Sequence, residues 1–440
     1  MMRPSTILPL AYLATAAAFF AAAMASLPWL ANELAGHYYQ PRVLALTHVV
    51  TLGWITMSIL GASYQLIPIV LDRPLWSERL ARVQWGVLLV GVVGMVAHFW
   101  LGTWPGLLAA GGLVAVGVGM HLVNVAVSLR GLQRWTLTAR LVVLGHAGLG
   151  LTAMFGLALA LNHALPVFSW APFPALHAHV HLALGWWIAP MLLGVSARVY
   201  PMFLVAPEPA RALGQVQLWG LAGGVPLLVA GLIAAPPLVV PGALALCAAA
   251  GGHVVSICSM VRDRKRPSLD WGLRFALTAS GFLVLATVAG LGLALDLVSG
   301  PRVALAYAVL LLGGWISLSI VGMALKIVPF LVWYRVYGPL VGTRAVPGLA
   351  ALGSAGAEAA AWVLLTAGFL SLAGAAAAGS AFWISVSAVS VALGALAFAA
   401  SLARVLAHLR APAPAAERVV RVSIAKGMGP KAHIPKVPTR

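Results

Sequence analysis

The chain has 440 residues, of which 62% are hydrophobic and only 8% are charged. Soluble domains carry about a quarter charged residues, so a water-soluble fold of this composition would expose far more apolar surface than water tolerates. The net charge of +18 does not indicate nucleic-acid binding, because the basic residues stand in short segments between apolar runs, where the positive-inside rule explains them.

Twelve apolar runs predict an all-α polytopic membrane protein, since each is long enough to cross the roughly 30 Å of a bilayer core. We number them helices 1 to 12. In chain order they cover residues 7–31, 43–71, 80–101, 105–130, 138–162, 175–204, 213–235, 239–261, 271–297, 302–333, 349–374 and 379–409. The first run lacks a clear cleavage site and is predicted to be a span, not a signal peptide.

The loop charges predict the orientation of these helices. One set of loops holds nearly all the basic residues, and the other set holds only Arg42 and Arg302. The basic set comprises Arg73, Arg79, Arg82, Arg130, Arg134, Arg140, Arg211, Arg262, Arg264, Lys265, Arg266, Arg335 and Arg344. This asymmetry places both termini in the cytoplasm. We predict that the protein lies in the inner membrane of a bacterial-type cell. Residues 1–410 form one transmembrane domain, and residues 411–440 are predicted to be a basic, disordered cytoplasmic tail.

Helices 2, 6 and 10 share a sequence pattern. A tryptophan is followed by a glycine after seven residues and by a proline after seven more, and in helices 2 and 6 a histidine precedes the tryptophan by six. The matched residues are His48, Trp54, Gly61 and Pro68; His181, Trp187, Gly194 and Pro201; and Val309, Trp315, Gly322 and Pro329. A period of four helices makes the three copies parallel. The pattern predicts three pseudo-threefold four-helix units, unlike the inverted repeats of many carriers.

Histidines are the main candidates for a functional site. Intramembrane ionisable groups are costly, and histidine is a common axial ligand of heme iron. His48 and His181 occupy the same repeat position near the outer ends of parallel helices, beside glycines that make room, and we predict that they ligate a heme or a metal. His177 is one helical turn before His181 and shares its face. His179 points roughly the opposite way and is open between a metal ligand and an outer-surface residue. His177 and His179 are candidate ligands of a metal such as copper.

Other ionisable residues lie deeper in the predicted helices. His121, His146 and His253 are interpreted as interhelical hydrogen-bonding residues. Tyr64 is interpreted as a buried tyrosine with a hydrogen-bond partner, with a proton or redox relay as the alternative.

Glu358 is the only acidic residue well inside a predicted span. It is a candidate proton carrier. The favoured interpretation places it near the cytoplasmic boundary, where it would pair with a basic residue such as Lys326 or Arg404.

Twelve helices in three four-helix units, with an outer histidine on helix 2, resemble the large catalytic subunit of heme–copper oxidases and its nitric oxide reductase relatives. The resemblance implies that His48 is an axial ligand of a heme and that a histidine of the His177–His181 run binds copper or another metal. The sequence departs from the family at helix 10, which lacks the expected pair of histidines and has Val309 at the repeat's histidine position. It departs again at helix 7, which has none of the adjacent histidines that the family uses for copper. These departures argue against oxygen reduction. The NnrS-type membrane proteins, which carry heme and copper, are the most similar functional class.

The sequence therefore predicts a heme-b-binding membrane protein that acts in electron transfer or in handling a diatomic gas such as nitric oxide. His48 would be one axial ligand, and His181 or His177 would oppose it or hold a second heme or copper. A respiratory electron donor or subunit is the expected partner, besides the lipid bilayer. Two alternatives stay open: a transporter of metal ions or small solutes, and a non-catalytic subunit of a respiratory complex.

Overall fold

The computed structural model describes residues 6–410. In this range it confirms the all-helical prediction: twelve helices are long and apolar enough to cross a membrane, and no strand is present. Helices 1 to 12 cover Ile7–Ala35, Pro41–Ile69, Glu78–Leu101, Trp104–Ser128, Leu137–Ala164, Pro172–Leu204, Arg211–Ile233, Pro236–Arg262, Trp271–Ala294, Pro301–Val336, Ala355–Ala378 and Ala381–Ala407. The chain is thus a multi-pass membrane protein. The predicted tail, residues 411–440, lies outside the described residues.

Helix 11 shows the largest boundary difference from the prediction. It begins at Ala355, about two turns later than expected. The Ser354 hydroxyl accepts a hydrogen bond from the Ala357 amide at 3.3 Å, which is the N-terminal cap that a serine provides. The residues before it form two short 3₁₀ turns, Gly338–Leu340 and Leu349–Ala351.

The outer surface of the bundle is apolar along its length. Large hydrophobic side chains point away from the core on several helices: Val90, Met154, Val288, Val363 and Leu396. Surface of this kind, on helices of this length, is what lipid tails solvate. The bilayer is therefore the partner that the fold supports.

The helices close into a ring of three units. Within the units, helices 3 and 4, helices 7 and 8, and helices 11 and 12 pack as pairs. Between the units, helix 4 packs on helix 5, helix 8 on helix 9, and helix 12 on helix 1. Helices 2, 6 and 10 are among the most buried spans. This arrangement agrees with the pseudo-threefold order that the sequence repeat predicts.

Each repeat helix contains a π-helical segment at the same place. The segments are Val49–Thr56, Ala183–Ile188 and Val309–Ser317. Each begins one or two residues after the repeat's histidine position, or at it in helix 10, and includes the repeat's tryptophan. Segments of π-helix are rare and are often found at functional sites. Because three of them occur at one repeat position, this level of the bundle is a candidate for a functional site.

Tryptophan side chains of the π-helical segments join the repeats. The Trp54 indole donates to the Ser317 hydroxyl at 3.0 Å, and the Trp187 indole donates to the Thr56 hydroxyl at 3.2 Å. In both bonds the acceptor lies two residues after the tryptophan of the receiving repeat. Helix 2 is thereby tied to helix 10, and helix 6 to helix 2, in one cyclic sense.

The third bond of this cycle is not made. The threefold relation places Ala189 of helix 6 opposite Trp315 of helix 10, and alanine has no hydroxyl to accept a bond. Both residues line the large cavity described below. The missing bond therefore coincides with the part of the bundle that is open.

An ion-pair cluster joins helices 9 and 10 on the side of the basic loops. One carboxylate oxygen of Asp270 caps helix 9 by accepting a bond from the Leu273 amide at 3.1 Å. The other accepts from Lys326 at 2.5 Å and from Arg266 at 3.0 Å. The Lys326 side chain is only 15% exposed, so its charge depends on this partner.

The predicted pairing of Glu358 with Lys326 is therefore wrong. Lys326 reaches Asp270 instead, because Asp270 stands at the start of the helix that packs on helix 10. Glu358, in the first turn of helix 11, accepts a hydrogen bond from the Ser401 hydroxyl of helix 12 at 3.1 Å.

Replacing Asp270 by alanine is expected to lower the free energy of unfolding by about 1–3 kcal/mol. The change removes a helix cap and leaves a mostly buried ammonium group unpaired. Asp263→Ala, which breaks only an exposed ion pair with Arg262, is the control and should cause no measurable change. Both values come from unfolding of the purified protein by titration with sodium dodecyl sulfate in mixed micelles. Equal effects of the two substitutions would contradict the expectation.

Candidate functional site

A cavity of about 800 Å³ is lined by residues of helices 2 to 10. Its mouth is formed by the loops that join helices 1 and 2 and helices 5 and 6, which is the side opposite the basic loops; we call it the outer side. Most of the lining is apolar, and no Asp, Glu, Lys or Arg is part of it. This size and lining suit a large, mainly apolar ligand held by a few polar groups.

His48 enters this cavity from helix 2. Its Nδ1 lies 2.8 Å from the Leu44 carbonyl oxygen of the preceding turn, so Nδ1 carries the hydrogen and donates it. The ring stacks on Phe99 at 4.6 Å between centroids. The neutral imidazole then keeps a lone pair on Nε2. A backbone bond to one nitrogen that leaves the other free is the usual arrangement of a ligating histidine.

His181 repeats this geometry on helix 6. Its Nδ1 lies 2.8 Å from the His177 carbonyl oxygen, again one turn earlier, and Nε2 is left free. Its ring lies 6.4 Å from that of Tyr307 on helix 10. Both histidines that the repeat singled out therefore have the tautomer that ligation needs, and both line the cavity.

His179 also faces the interior, which settles where the sequence left it open. Its Nδ1 is buried and has no hydrogen-bond partner. The ring packs against helix 5, beside Phe155 and Gly156, and lies close enough to His48 to interact with it electrostatically. Buried polar nitrogens are nearly always bonded. The His179 Nδ1 atom is therefore available to a ligand in the cavity.

His177 has a different environment, at the mouth. Its Nε2 is bonded to the Tyr38 hydroxyl at 2.9 Å. Tyr38 belongs to the loop between helices 1 and 2, so the bond ties this loop to helix 6. Ligation by His177 through Nε2 would require this bond to break, and His177 is thus less suited to hold a metal than its two neighbours.

Gly53 and Gly185, the glycines beside His48 and His181, do not make room for a ligand as predicted. A side chain at Gly53 would collide with Phe19 of helix 1, at 2.7 Å. A side chain at Gly185 would collide with Val225 of helix 7. Both glycines therefore admit neighbouring helices close to the repeat helix.

Polar residues of the cavity lining form two sets related by the pseudo-threefold repeat, and we call the regions around these sets its two parts. In the first part, His48 stands six residues before its repeat tryptophan and His179 stands eight before the next one. In the second part, His181 and Tyr307 take the same two positions one repeat further on. At the third pairing both positions are apolar: Val309 and Leu46. The first part thus offers two imidazoles, and the second an imidazole and a phenol.

A metal ion that is bound by protein side chains alone needs several ligands that lie close together. Within residues 6–410, no group of three or more His, Cys, Asp or Glu side chains lies close enough together to hold one ion. This counts against a copper site with three protein ligands. It does not affect a heme, whose iron needs only one or two axial ligands from the protein.

Two of the predicted relay residues lie elsewhere. Tyr64 is buried in a separate cluster with His121, and Glu358 is at the basic end of helix 11; neither lines the cavity. Sequence reasoning missed Tyr307. The signal that could have found it is its offset of eight residues from Trp315, which equals that of His179 from its own tryptophan.

Comparison of the sequence with models of known protein families and with curated proteins finds no match. The resemblance to oxidase large subunits stays a prediction from the sequence.

Proposed function

We propose that this protein binds heme b in the outer cavity, with His48 as an axial ligand, and acts in electron transfer or in binding a diatomic gas such as nitric oxide. The observation that carries the proposal is the His48 imidazole, which holds its Nδ1 hydrogen on the backbone and leaves Nε2 free in a large apolar cavity. The inner membrane of a bacterial-type cell is the proposed location, with a respiratory electron donor as partner.

The residues present fit the chemical parts of a heme. Apolar side chains of the cavity suit the macrocycle, and His48 and His179 suit the iron. The lining has no basic residue, so the carboxylate groups would depend on polar side chains at the mouth: Tyr38, Tyr39, Asn162 and His163. Bound heme supplies one-electron chemistry and an iron that takes a gas when a coordination position is open. The chain holds and orients the group and keeps bulk water from it.

The two parts of the cavity support the two variants of the function. Two imidazoles, as at His48 and His179, would saturate the iron and favour electron transfer. One imidazole, as at His181, would leave a position open for a gas next to the Tyr307 phenol. We assign the first heme to the His48 part, because His48 and His179 both line it and each keeps a ring nitrogen without a hydrogen-bond partner.

The test is the visible absorption spectrum of the purified protein, oxidised and reduced, together with its iron content. We expect a Soret band, sharp bands of b-type heme on reduction, and about one iron per chain or more. Carbon monoxide should shift the reduced spectrum only if a gas site is open. Protein with no Soret band and no iron would overturn the proposal.

If the purified protein lacks heme, two further measurements distinguish the alternatives. Heme-free protein that carries labelled copper into proteoliposomes, dependent on His177 and His181, would be a transporter. The absence of any acidic residue from the cavity lining counts against this, because a cation path needs compensating charge. Heme-free protein that co-purifies with respiratory subunits would be a non-catalytic partner.

A further inference from the structure

A second cluster of ionisable residues lies outside the cavity, between helices 2, 3, 4 and 5. Tyr64, Gln84, His121 and His146 each come from a different helix, and all four are buried. None of them lines the cavity. They lie in the half of the bundle nearer the basic loops, about two turns from the ends of helices 2 to 5 on that side.

These side chains form one chain of hydrogen bonds. The Tyr64 hydroxyl is bonded to Gln84 Oε1, and His121 Nδ1 lies 2.9 Å from the Tyr64 oxygen. His121 Nε2 lies 3.1 Å from His146 Nε2. At the far end, His146 Nδ1 lies 2.7 Å from the Val142 carbonyl oxygen.

The hydrogen count of this chain fails when both imidazoles are neutral. Val142 can only accept, so His146 Nδ1 carries the hydrogen and Nε2 is a lone pair. His121 Nε2 must then donate, its Nδ1 must accept, and the Tyr64 hydroxyl must donate to it. Tyr64 would then need a donor from Gln84. The amide group instead presents its oxygen to Tyr64, and its Nε2 is buried without a partner.

One additional proton satisfies every contact as it stands. Tyr64 then donates to Gln84 Oε1, and His121 Nδ1 donates to the Tyr64 oxygen. The extra proton lies between the two Nε2 atoms, and His146 Nδ1 donates to Val142. The neutral state is reached by turning the Gln84 amide half a turn, which brings its nitrogen to Tyr64 and reverses the Tyr64 hydroxyl.

We propose that His121 and His146 form a site that takes up one proton, shared between their Nε2 atoms, and that the Gln84 amide turns with each uptake and release. The proton comes from water and returns to it. Apart from the N–H bonds of the two imidazoles, no covalent bond changes; only the hydrogen bonds of Tyr64 and Gln84 rearrange. The groups that face the pair are Tyr64 from helix 2, with Tyr12 of helix 1 behind it, and the Trp187 indole from helix 6. None of these carries a charge that would repel the proton.

Access for the proton is from the side of the basic loops. The Asn124 amide is a polar neighbour of the Tyr64 hydroxyl, and it also bonds both the amide nitrogen and the carbonyl of Ser77, at 3.0 and 2.8 Å, at the start of helix 3. On the other side, the Trp187 indole stands between His146 and the cavity, and its N–H is turned away to Thr56. The site is thus separate from the proposed heme site.

The second four-helix unit supplies a natural control. Gln217 of helix 7 and His253 of helix 8 take the positions of Gln84 and His121, and both are buried. Among the described residues, no second histidine is hydrogen-bonded to His253, and Gln217 Nε2 donates to the Ser256 hydroxyl at 3.1 Å. A change at Gln217 therefore alters a similar buried amide without touching a histidine pair.

The test is ¹⁵N solid-state NMR of the full chain in lipid, labelled at histidine, from about pH 8 to about pH 5. We expect two imidazoles to change together in one step, and the step to vanish in both His121→Gln and His146→Gln. Gln84→Glu, which places an acceptor with a negative charge on Tyr64, should raise the midpoint by about one pH unit or more. Gln84→Met, which accepts poorly, should lower it. Gln217→Glu should leave it unchanged.

Any one of the following results would overturn the proposal. The pair stays neutral over the whole range, its two rings titrate independently, or Gln84→Glu and Gln217→Glu have the same effect. Copper or zinc bound in equal amount to the protein, and lost in either histidine variant, would identify a metal site and also overturn it. Both Gln84 variants retain the two histidines, so they decide the matter even if the histidine variants do not fold.

Discussion

Replacing His48 by alanine is expected to remove the proposed heme and with it the Soret band, with heme occupancy reduced by more than about tenfold. His48 is the histidine whose Nδ1 is fixed by the backbone and whose ring is held by Phe99, so its Nε2 is presented to the cavity without further rearrangement. The measurement is heme absorbance per chain after purification under identical conditions.

His98→Ala is the matched control for that substitution. His98 also lies at the outer side, on helix 3, but it is half-buried outside the cavity and its Nδ1 is bonded to the Thr103 hydroxyl at 2.7 Å. We expect its loss to leave the spectrum unchanged. A His48→Ala protein that is folded and keeps the full spectrum would remove His48 from the site.

The opposing ligand is distinguished by two further variants. If the iron lies between His48 and His179, then His179→Ala should keep the heme but convert its spectrum from six-coordinate to five-coordinate, and the reduced form should then bind carbon monoxide. His181→Ala should leave that heme unaffected. The opposite pattern would assign the iron to the second part of the cavity.

The sequence was sufficient for the helices and their repeat, because both depend on local composition and fixed spacing. It could not give the direction of His179. A helical wheel sets His177 and His179 on opposite faces and suggests that only one is inside. Helix 6 is a central helix with a part of the cavity on either side, so opposite faces of it both meet the cavity. Which faces of a helix are covered is decided by its neighbours, and these are not written in its own sequence.

Long-range pairs were equally beyond the sequence. Lys326 pairs with a residue 56 positions earlier, and no local spacing distinguishes Asp270 from Glu358 as its partner. The histidine pair joins helices 4 and 5, while the tyrosine and the glutamine that complete its hydrogen bonds come from helices 2 and 3. Such clusters follow from the packing of the units, which the repeat predicted only as an arrangement of helices.

Gly322→Ala is expected to lower the free energy of unfolding by about 1–3 kcal/mol, although alanine is the better helix former. Gly322 of helix 10 and Gly272 of helix 9 approach through their backbones. A Cβ at Gly322 would lie 2.5 Å from the Gly272 carbonyl oxygen, and a Cβ at Gly272 would lie 2.7 Å from the Gly322 oxygen. A backbone atom cannot turn aside as a flexible side chain can, so the two helices would have to separate.

Gly281→Ala tests that cause directly, because it makes the same substitution on helix 9 where no other group lies within 4 Å. There the gain in helix propensity acts alone, and stability should rise by up to about 1 kcal/mol. Opposite signs for one chemical change, measured by the same detergent titration, would show that close backbone approach makes glycine necessary at this repeat position. The second repeat offers a graded case. A Cβ at Gly194 would lie 3.0 Å from the Leu141 Cβ and no closer than 3.5 Å to a backbone atom, the Thr138 oxygen, so Gly194→Ala should fall between the two. A loss of stability at Gly281 equal to that at Gly322 would instead assign the effect to glycine removal in general.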